Sequence, residues 1–540
     1  MRGRMRSGCK PLAATALAVA IAALLAACGG GSDSDATGGG AATGDAGGET
    51  TAVQATGDQP ELTQGADPVD DLRIGIADRV TELDPLLTGS PALGSIGHLT
   101  SGTLFRFVGV GDDVEPALAE SGRLSDDAMT YTVKLKPDLV FSDGSELTVE
   151  DVKASFDRGR TKDGGYRSFF APIKQVTIVD DRTVEFRFKS RYLSFENFLA
   201  YPAAGIFPAR GIADDTAFFK TQPVTSGPYK VVTPPNGATF RLERDDGYAG
   251  PKPVARAVTF VTVEDPNSRV AQLRSGQLDY ISSPPLQQFK SLTGDVTPIA
   301  RSGYATTYLG LNNTRAPFDD VRVRRAAALA VDRAQVQKVA WQGIVARNDG
   351  ALPTIFDGYE AVLPEPDVEA AKAELKGTAC ESGCPVTLLI AAGDDWPQAA
   401  AVIIKSNLEA IGMKVTIESG DPVATLDRKR SLEYVAMPTF VGSFSSIPEG
   451  YPSNALYSKG SFLSAYTGYR SAQMDRAIEA SILARTPAER RAAYERAGDI
   501  FGRDVPFVTL TDFPVTAAVR TELKNTVTPS STVFIEIATE

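Results

Sequence analysis

Few residues of this chain are of a type that does chemistry unaided. Its 540 residues include four cysteines and one histidine. Cys380 and Cys384 are spaced C-x3-C. Outside the cytoplasm such a pair most simply forms a disulfide. The closed loop is tiny, so its entropic stabilisation would be about 2 kcal/mol at most. A structural zinc takes four ligands, and a chain with His98 as its one histidine is poorly equipped to supply them. No metal site is expected, and His98 reads as structural in preference to a ligand contact. There is no G-x-x-x-x-G-K-[ST] run to cradle phosphates and no G-x-S-x-G elbow. A Ser-His-Asp site would have to use His98, which sits in no recognisable context. A hydrolase working through carboxylates alone stays open, since acidic residues are plentiful, but nothing singles out a pair. No cofactor is implied. Binding chemistry is better represented. Gly393-Asp394-Asp395-Trp396 leads into a helix predicted over 398–411, with Pro397 at its first position and Gly412 as its stop. Trp396 offers a ring to stack on a ligand, and the helix N-terminus offers free N–H groups to an anion. The alternative is that Asp395 caps this helix and Trp396 packs beneath it.

Charge and length narrow the classes. A net charge of −12 lacks the basic footprint that nucleic acid requires. Hydrophobic residues at 43% and charged residues at 23% describe an ordinary soluble globular chain. Its length exceeds what one hydrophobic core organises, so two or three packed units are expected. At the N-terminus, Arg2, Arg4, Arg6 and Lys10 precede a short apolar run over 12–27. That is a targeting segment, too short and Ala-rich for a comfortable membrane span. It ends in Leu25-Ala26-Ala27-Cys28-Gly29, which resembles a bacterial lipobox. Cleavage before Cys28 with lipidation of its thiol is expected; the alternative is an ordinary signal peptide with an incidental cysteine. Residues 29–69 are mostly Gly, Ala, Thr, Ser and Asp, with scarcely any large apolar residue and no Lys or Arg, the composition of a disordered acidic tether.

The elements that must position any binding residues follow from periodicity. Leu72–Ile76 opens the folded sequence as a strand and is followed by Asp84-Pro85-Leu86. Thr130–Leu135 alternates faces as a half-buried strand should. Phe141-Ser142-Asp143-Gly144-Ser145 is turn chemistry. Thr148 is placed to cap a helix over 149–158, with Asp151 completing an acidic capping box. A hairpin pairs 176–179 with 183–188. Asp319 or Asp320 caps a helix with Val323, Ala327, Ala330 and Val331 on its apolar face. Strands are predicted at 258–263, 308–312, 386–391 and 415–418, the last two joined as a strand–helix–strand unit. Thr486-Pro487-Ala488-Glu489 opens a helix to about 500 with Thr as cap, Pro at N1 and Glu at N3. A late strand runs from Val505 to Leu510 and is expected to return to the first domain.

The ordered wording of several of these segments resembles the family 5 extracytoplasmic solute-binding proteins, the oligopeptide, dipeptide and nickel-chelate receptors of ABC importers. Residues 116–158 carry the family's signature run, with Gly122 where Trp is usual and Lys136 where Arg is usual. Thr225-Ser226-Gly227-Pro228-Tyr229 is similar to its "GTGPY" segment. Residues 312–333, with Pro317-Phe318-Asp319-Asp320 and the Arg-rich helix after it, are similar to a further family segment. The resemblance spans residues 70–525.

It implies an α/β, two-lobed periplasmic-binding-protein-like fold of type II, in the large form with an extra inserted domain and a hinge between lobes. Residues 1–27 would be the signal peptide and 28–69 the anchor and linker. Lobe one would comprise 70–108, 223–302 and 506–540, with 109–222 inserted in it; lobe two would be 303–505. The implied function is an extracytoplasmic lipoprotein, anchored to the cell membrane through its N-terminal lipid only. It presents a short peptide or peptide-like solute to the permease of an ABC importer, as a monomer and without catalysis. Another polar solute such as an oligosaccharide or metal chelate, a non-transport lipoprotein receptor, and a hydrolase are the alternatives. By resemblance the cleft receives Trp396, Tyr304 at the crossing between lobes, and a run over 437–449 containing Phe440, Ser443, Phe444, Ser445 and Glu449. In peptide-binding relatives this run usually holds an acidic residue that pairs with the α-amino group. Here Ser443, Ser445 and Ser446 occupy the region, with Glu449 as a possible substitute. That departure allows a less cationic solute, and the want of His weakens a nickel chelate. Phe105, Asn312 and Thr509 are further cleft candidates, each read as structural in preference.

Overall fold

The computed structural model describes residues 61–87, 91–108, 114–162, 166–213, 215–221, 223–393, 395–442, 450–460, 463–530 and 534–540. The signal peptide, Cys28 and residues 29–60 of the expected tether lie outside them. Residues 61–69, expected as tether, instead pack on the body, because Leu62, Ala66 and Val69 bury apolar surface there. The Thr63 N–H donates to the Asn525 carbonyl at 3.0 Å and the Val69 N–H to the Val254 carbonyl at 3.1 Å. The described chain is organised on one ten-stranded mixed sheet. In chain order its strands are β1 (Leu72–Ile76), β2 (Tyr229–Thr233), β3 (Thr239–Arg244), β4 (Ala257–Thr262), β5 (Tyr280–Ser282), β6 (Val296–Leu311), β7 (Pro385–Ala391), β8 (Lys414–Gly420), β9 (Ala436–Gly442) and β10 (Phe507–Arg520). They lie in the order β8-β7-β9-β6-β10-β5-β1-β4-β3-β2. On one side β1 runs parallel to β4 and β5. On the other, β7 runs parallel to β8 and β9. β1 and β7, inside the sheet, are buried along most of their length on both faces, as inner parallel strands require, whereas the edge strand β8 is largely exposed.

Two cores divide the sheet into lobes. Leu72, Ile74, Val258, Phe260 and Ile299 belong to one cluster, together with Ala517 and Val519. Leu309, Leu311, Val386, Leu388 and Val441 belong to another, together with Phe507, Val508 and Leu510. The long strands β6 and β10 therefore run through both lobes. Their antiparallel register holds from Val296↔Arg520 to Ser302↔Pro514 and resumes at Thr306↔Asp512. Between these points Gly303, Tyr304 and Ala305 oppose only Phe513. The crossing on the return strand thus falls at 512–514, later than the boundary at 506 expected from the sequence. Residues 507–511 belong to lobe two because their side chains pack there. The strand predicted at 308–312 is the second half of β6.

The inserted part has its own antiparallel sheet of Ala119–Leu124, Thr130–Leu135, Thr183–Phe188 and Ile173–Asp180, in that spatial order. The helix Val149–Thr161 lies on it. Its first turn is held as the sequence indicated: one Asp151 oxygen accepts from the Thr148 N–H at 2.9 Å and from its hydroxyl at 3.0 Å. Phe156 on this helix meets Phe170, Phe186, Phe195 and Phe198 at centroid distances between 4.7 and 6.4 Å. The last turn supplies Arg158, which grips Asp84 of the Asp84-Pro85-Leu86 turn with two nitrogens, at 3.1 and 2.5 Å. Such a two-pronged pair is strong and orienting. It ties the last turn of the signature helix to the Asp84-Pro85-Leu86 turn. Gly122 stands where Trp is usual because there is no room: an added Cβ would lie 2.3 Å from the Tyr131 hydroxyl and 2.7 Å from the Phe105 ring. The insert also reaches lobe two, where Arg485 Nη2 donates to the Asp126 carbonyl at 3.0 Å.

Candidate functional site

Topology brings two of the expected segments to one end of lobe two. β7 and β9 are parallel neighbours, so the chain leaves both at the same edge of the sheet. Gly393–Trp396 follows β7, and residues 443–449 follow β9. Crevices beyond the carboxyl ends of parallel strands are where open α/β sheets bind ligands. Ser443, Phe444, Ser445 and Glu449 lie outside the described residues. Tyr304 stands beside this edge, since its neighbour Ala305 pairs with Gly442 at the end of β9. It is 7% exposed, and its ring meets Phe356 edge-on at 5.5 Å.

The helix after β7 spans Asp395–Ala410. It begins three residues earlier than predicted, so Asp395, Trp396 and Pro397 form its first turn. That leaves Trp396 8% exposed and stacked on Trp341 at 5.3 Å. Trp341 meets Phe513 at 5.6 Å, and Phe513 meets Phe440 at 5.0 Å. The row runs from a buried tryptophan to Phe440, which is 50% exposed. Its buried Trp341 Nε1–H has no hydrogen-bond acceptor among the described residues. Gln287 donates its side-chain amide to the Asp395 carboxylate, and its neighbours Leu286 and Phe289 pack against the same core. Trp396 therefore packs chiefly within lobe two, and Phe440 is the ring of this row open to solvent.

The opposite face of the crossing carries polar groups. Asp512, fully buried, accepts from Asn348 Nδ2 at 2.8 Å, from the Thr354 N–H at 3.1 and 3.2 Å, and from the Thr354 hydroxyl. Burial pushes its pKa up to about 6, although these donors favour the ionised form. Beside it the Thr306 and Tyr451 hydroxyls are 2.7 Å apart. Loop 348–354 is thus fastened to the strand that joins the lobes.

Three candidates are placed elsewhere. Asn312 is buried with all its polar atoms in use: Nδ2 donates to the Leu432 and Tyr434 carbonyls at 2.8 and 2.9 Å, and Oδ1 accepts from Thr314. Thr509 is buried and donates to the Gly350 carbonyl at 2.6 Å. Phe105, 1% exposed, fills the space beside Gly122 in the core of the insert. None of the three presents a surface to a solute in this conformation. Sequence reasoning did not single out Trp341, Phe513 or Asp512. Trp341 carried a faint signal as one of two tryptophans, and Asp512 as a lone acid in the apolar run Val508–Val515.

Cys380 and Cys384 are joined in a disulfide. His98 stacks on Phe534 at 5.5 Å and lies 3.1 Å from Glu536 through Nε2. Burial opposes its charge, but the Glu536 carboxylate holds its pKa above the usual value. Among the described residues no group of His, Cys, Asp or Glu is arranged to hold a metal ion, and no helix is long and apolar enough to cross a membrane.

Comparison with known proteins places these features in company. The family model for bacterial extracellular solute-binding proteins, family 5 Middle, matches residues 113–462. The glutathione-binding protein GsiB of Pectobacterium atrosepticum is 28% identical over 407 residues, covering 73% of this chain and 79% of the relative. The solved structure of the binding protein AgaA with agropinic acid, from A. tumefacien R10, is similar with a TM-score of 0.69 at 25% identity, covering 87% of this chain and 99% of that one. CtaP of Listeria monocytogenes, an ABC transporter substrate-binding protein, is similar in fold with a TM-score of 0.76 at 22% identity, covering 87% of this chain and 100% of that one.

Proposed function

The chain belongs to the bacterial extracellular solute-binding proteins, family 5, and from that premise we propose that it captures a short peptide or peptide-like solute between its lobes and presents it to the permease of an ABC importer. The observation that carries this reading is the match to glutathione-binding relatives over most of both chains. Glutathione is itself a short peptide derivative. The solute sits beyond the carboxyl ends of β7 and β9, with Phe440 as its lobe-two wall and Tyr304 beside the crossing. Trp396 acts from beneath, by holding Trp341 and Phe513 in place. β6 and β10 form the hinge, because they are the strands that run through both lobes. Binding favours the closed form, which the membrane partner then recognises. Cleavage before Cys28 and lipidation of its thiol keep the protein at the outer face of the membrane, on a tether that ends before residues 61–69, which pack against the first core. Nothing in this mode of action calls for catalysis.

The test is native mass spectrometry of the protein purified without denaturation, to identify a co-purified ligand. A thermal-shift series with glutathione and with peptides of two to six residues accompanies it. A bound peptide or a concentration-dependent rise in Tm is the expected result. If neither glutathione nor any peptide raises Tm, the peptide reading is abandoned and the co-purified mass names the solute class.

A further inference from the structure

One ring at the lobe-two edge is left over from the packing. Phe440 on β9 is 50% exposed, and no other aromatic side chain among the described residues is so open to solvent. It ends a row whose other members are covered or half-covered: Phe513 lies 5.0 Å from it, Trp341 5.6 Å from Phe513, and Trp396 5.3 Å from Trp341. Resting on the peptide reading above, we infer that the site selects its solute by an aromatic side chain, which packs on the open side of Phe440 as the next ring of this row.

Geometry is the first argument. Aromatic pairs favour centroid separations of about 4.5–7 Å in offset or edge-on arrangements. The three contacts of the row fall in that range, and Phe440 meets Phe513 tilted at 39°. Phe513 and the tryptophans behind it brace the Phe440 ring, so an incoming ring meets a wall with little freedom to lose. Polarity is the second. Phe440 is in register with Thr307 of β6, and Thr307 with Thr511 of β10. Both threonines are fully buried and their hydroxyls lie 2.7 Å apart, each taken by the other. They offer nothing to a polar side chain. Charge is the third. Successive residues of a strand face opposite sides. Lys429 therefore serves the other face of β9, through the Thr439 hydroxyl at 2.9 Å. Asp395, exposed beside Trp396 at the far end of the row, is an acid and disfavours an acidic side chain. A ring therefore gains most at Phe440, an aliphatic side chain less and an acidic one least. Ring-on-ring contact adds about two- to tenfold to affinity beyond the area buried.

The test uses the mature protein with alanine tripeptides that carry one Phe, Leu, Lys or Glu, at each position in turn, and tri-alanine as the reference. Trp341 and Trp396 are the only tryptophans of the chain. Tryptophan emission therefore reports on the row behind Phe440, and a Kd from calorimetry can be assigned to this site. The best Phe peptide is expected to bind at least about tenfold tighter than tri-alanine and about threefold tighter than its Leu counterpart, with a change in emission. F440L keeps the wall apolar and should bring the Phe-to-Leu ratio to near one, whereas F440Y should retain it. A Phe-to-Leu ratio near one in wild type, a ratio unchanged in F440L, or a Lys or Glu peptide that binds tighter than the Phe peptide overturns the inference. If no peptide binds wild type, the peptide reading fails by itself. The aromatic subsite then stands only if benzyl alcohol shifts the tryptophan emission of wild type and not of F440L; an equal or absent shift sinks it.

Discussion

The insert and the lobe-two edge are built on opposite economies of residues. Around Phe156 the insert places ring against ring, with Phe186 at 4.7 Å and Phe170 at 5.8 Å. Signature residues there serve neighbours: Asp151 caps its own helix, Arg158 holds Asp84, and Gly122 yields space to Phe105 and Tyr131. At the edge of lobe two the aromatic row stops at a half-exposed Phe440, and the chain beyond it departs from the family pattern. Buried Asp512 sits in the crossing strand, where an apolar residue would be more easily accommodated. The first region is spent on its own packing and carries the family's wording. At the second the aromatic row ends in solvent, and the Trp341 Nε1–H has no acceptor among the described residues.

Three measurements would sharpen or break this contrast. The largest effect is expected from Phe156→Ala, which leaves a cavity among four rings. It should destabilise the protein by about 3–5 kcal/mol in denaturant unfolding, while the folded fraction keeps its solute affinity. A loss of affinity in proportion to stability would mean that the insert is part of the site.

Next comes the pH profile of Asp512. Its folded pKa lies near 6, above the ordinary carboxyl value. The folded state therefore binds more protons than the unfolded state between about pH 4 and 6. The stability it contributes is full below that window and is lost as pH rises through 6. Asp512→Asn should flatten this part of the stability curve, by an amount on the order of 1–3 kcal/mol across the window. A curve of unchanged slope in the variant would show that Asp512 is ionised throughout and that its donors outweigh burial.

The smallest stability effect is expected from Phe440→Ala. Half exposed, Phe440 should contribute less than about 1 kcal/mol to folding. As an aromatic contact to solute it should nevertheless weaken binding by about tenfold or more. Calorimetry on wild type and variant reads this directly, and an unchanged Kd would remove Phe440 from the site.

Much of the fold was legible because it is local. Strand alternation at Thr130–Leu135, the Thr148–Asp151 cap and the Thr486-Pro487 start are set by residues within a few positions of one another. Their structures match: Thr486 Oγ1 accepts from the Glu489 N–H at 3.2 Å, and Asp320 caps its helix through the Arg322 N–H at 2.9 Å. The site was less legible. Asn312 and Thr509 resembled cleft residues by type, yet their polar atoms are consumed by carbonyls of residues distant in sequence, Leu432, Tyr434 and Gly350. Trp396 could be read as exposed until the helix began at Asp395 and turned its ring inward onto Trp341.

By itself, then, the sequence determined the family, the α/β class and the capped elements, because these rest on short-range sterics and on hydrophobic period. It also marked 443–449 as the departure from the peptide-binding pattern. Only the tertiary structure decided that one sheet runs through both lobes, that the return crossing falls at 512–514 and not at 506, and which polar groups remain for a solute. Those outcomes depend on pairing between strands some two hundred residues apart, such as Thr306 with Asp512, and no local pattern encodes which distant partner a side chain will meet.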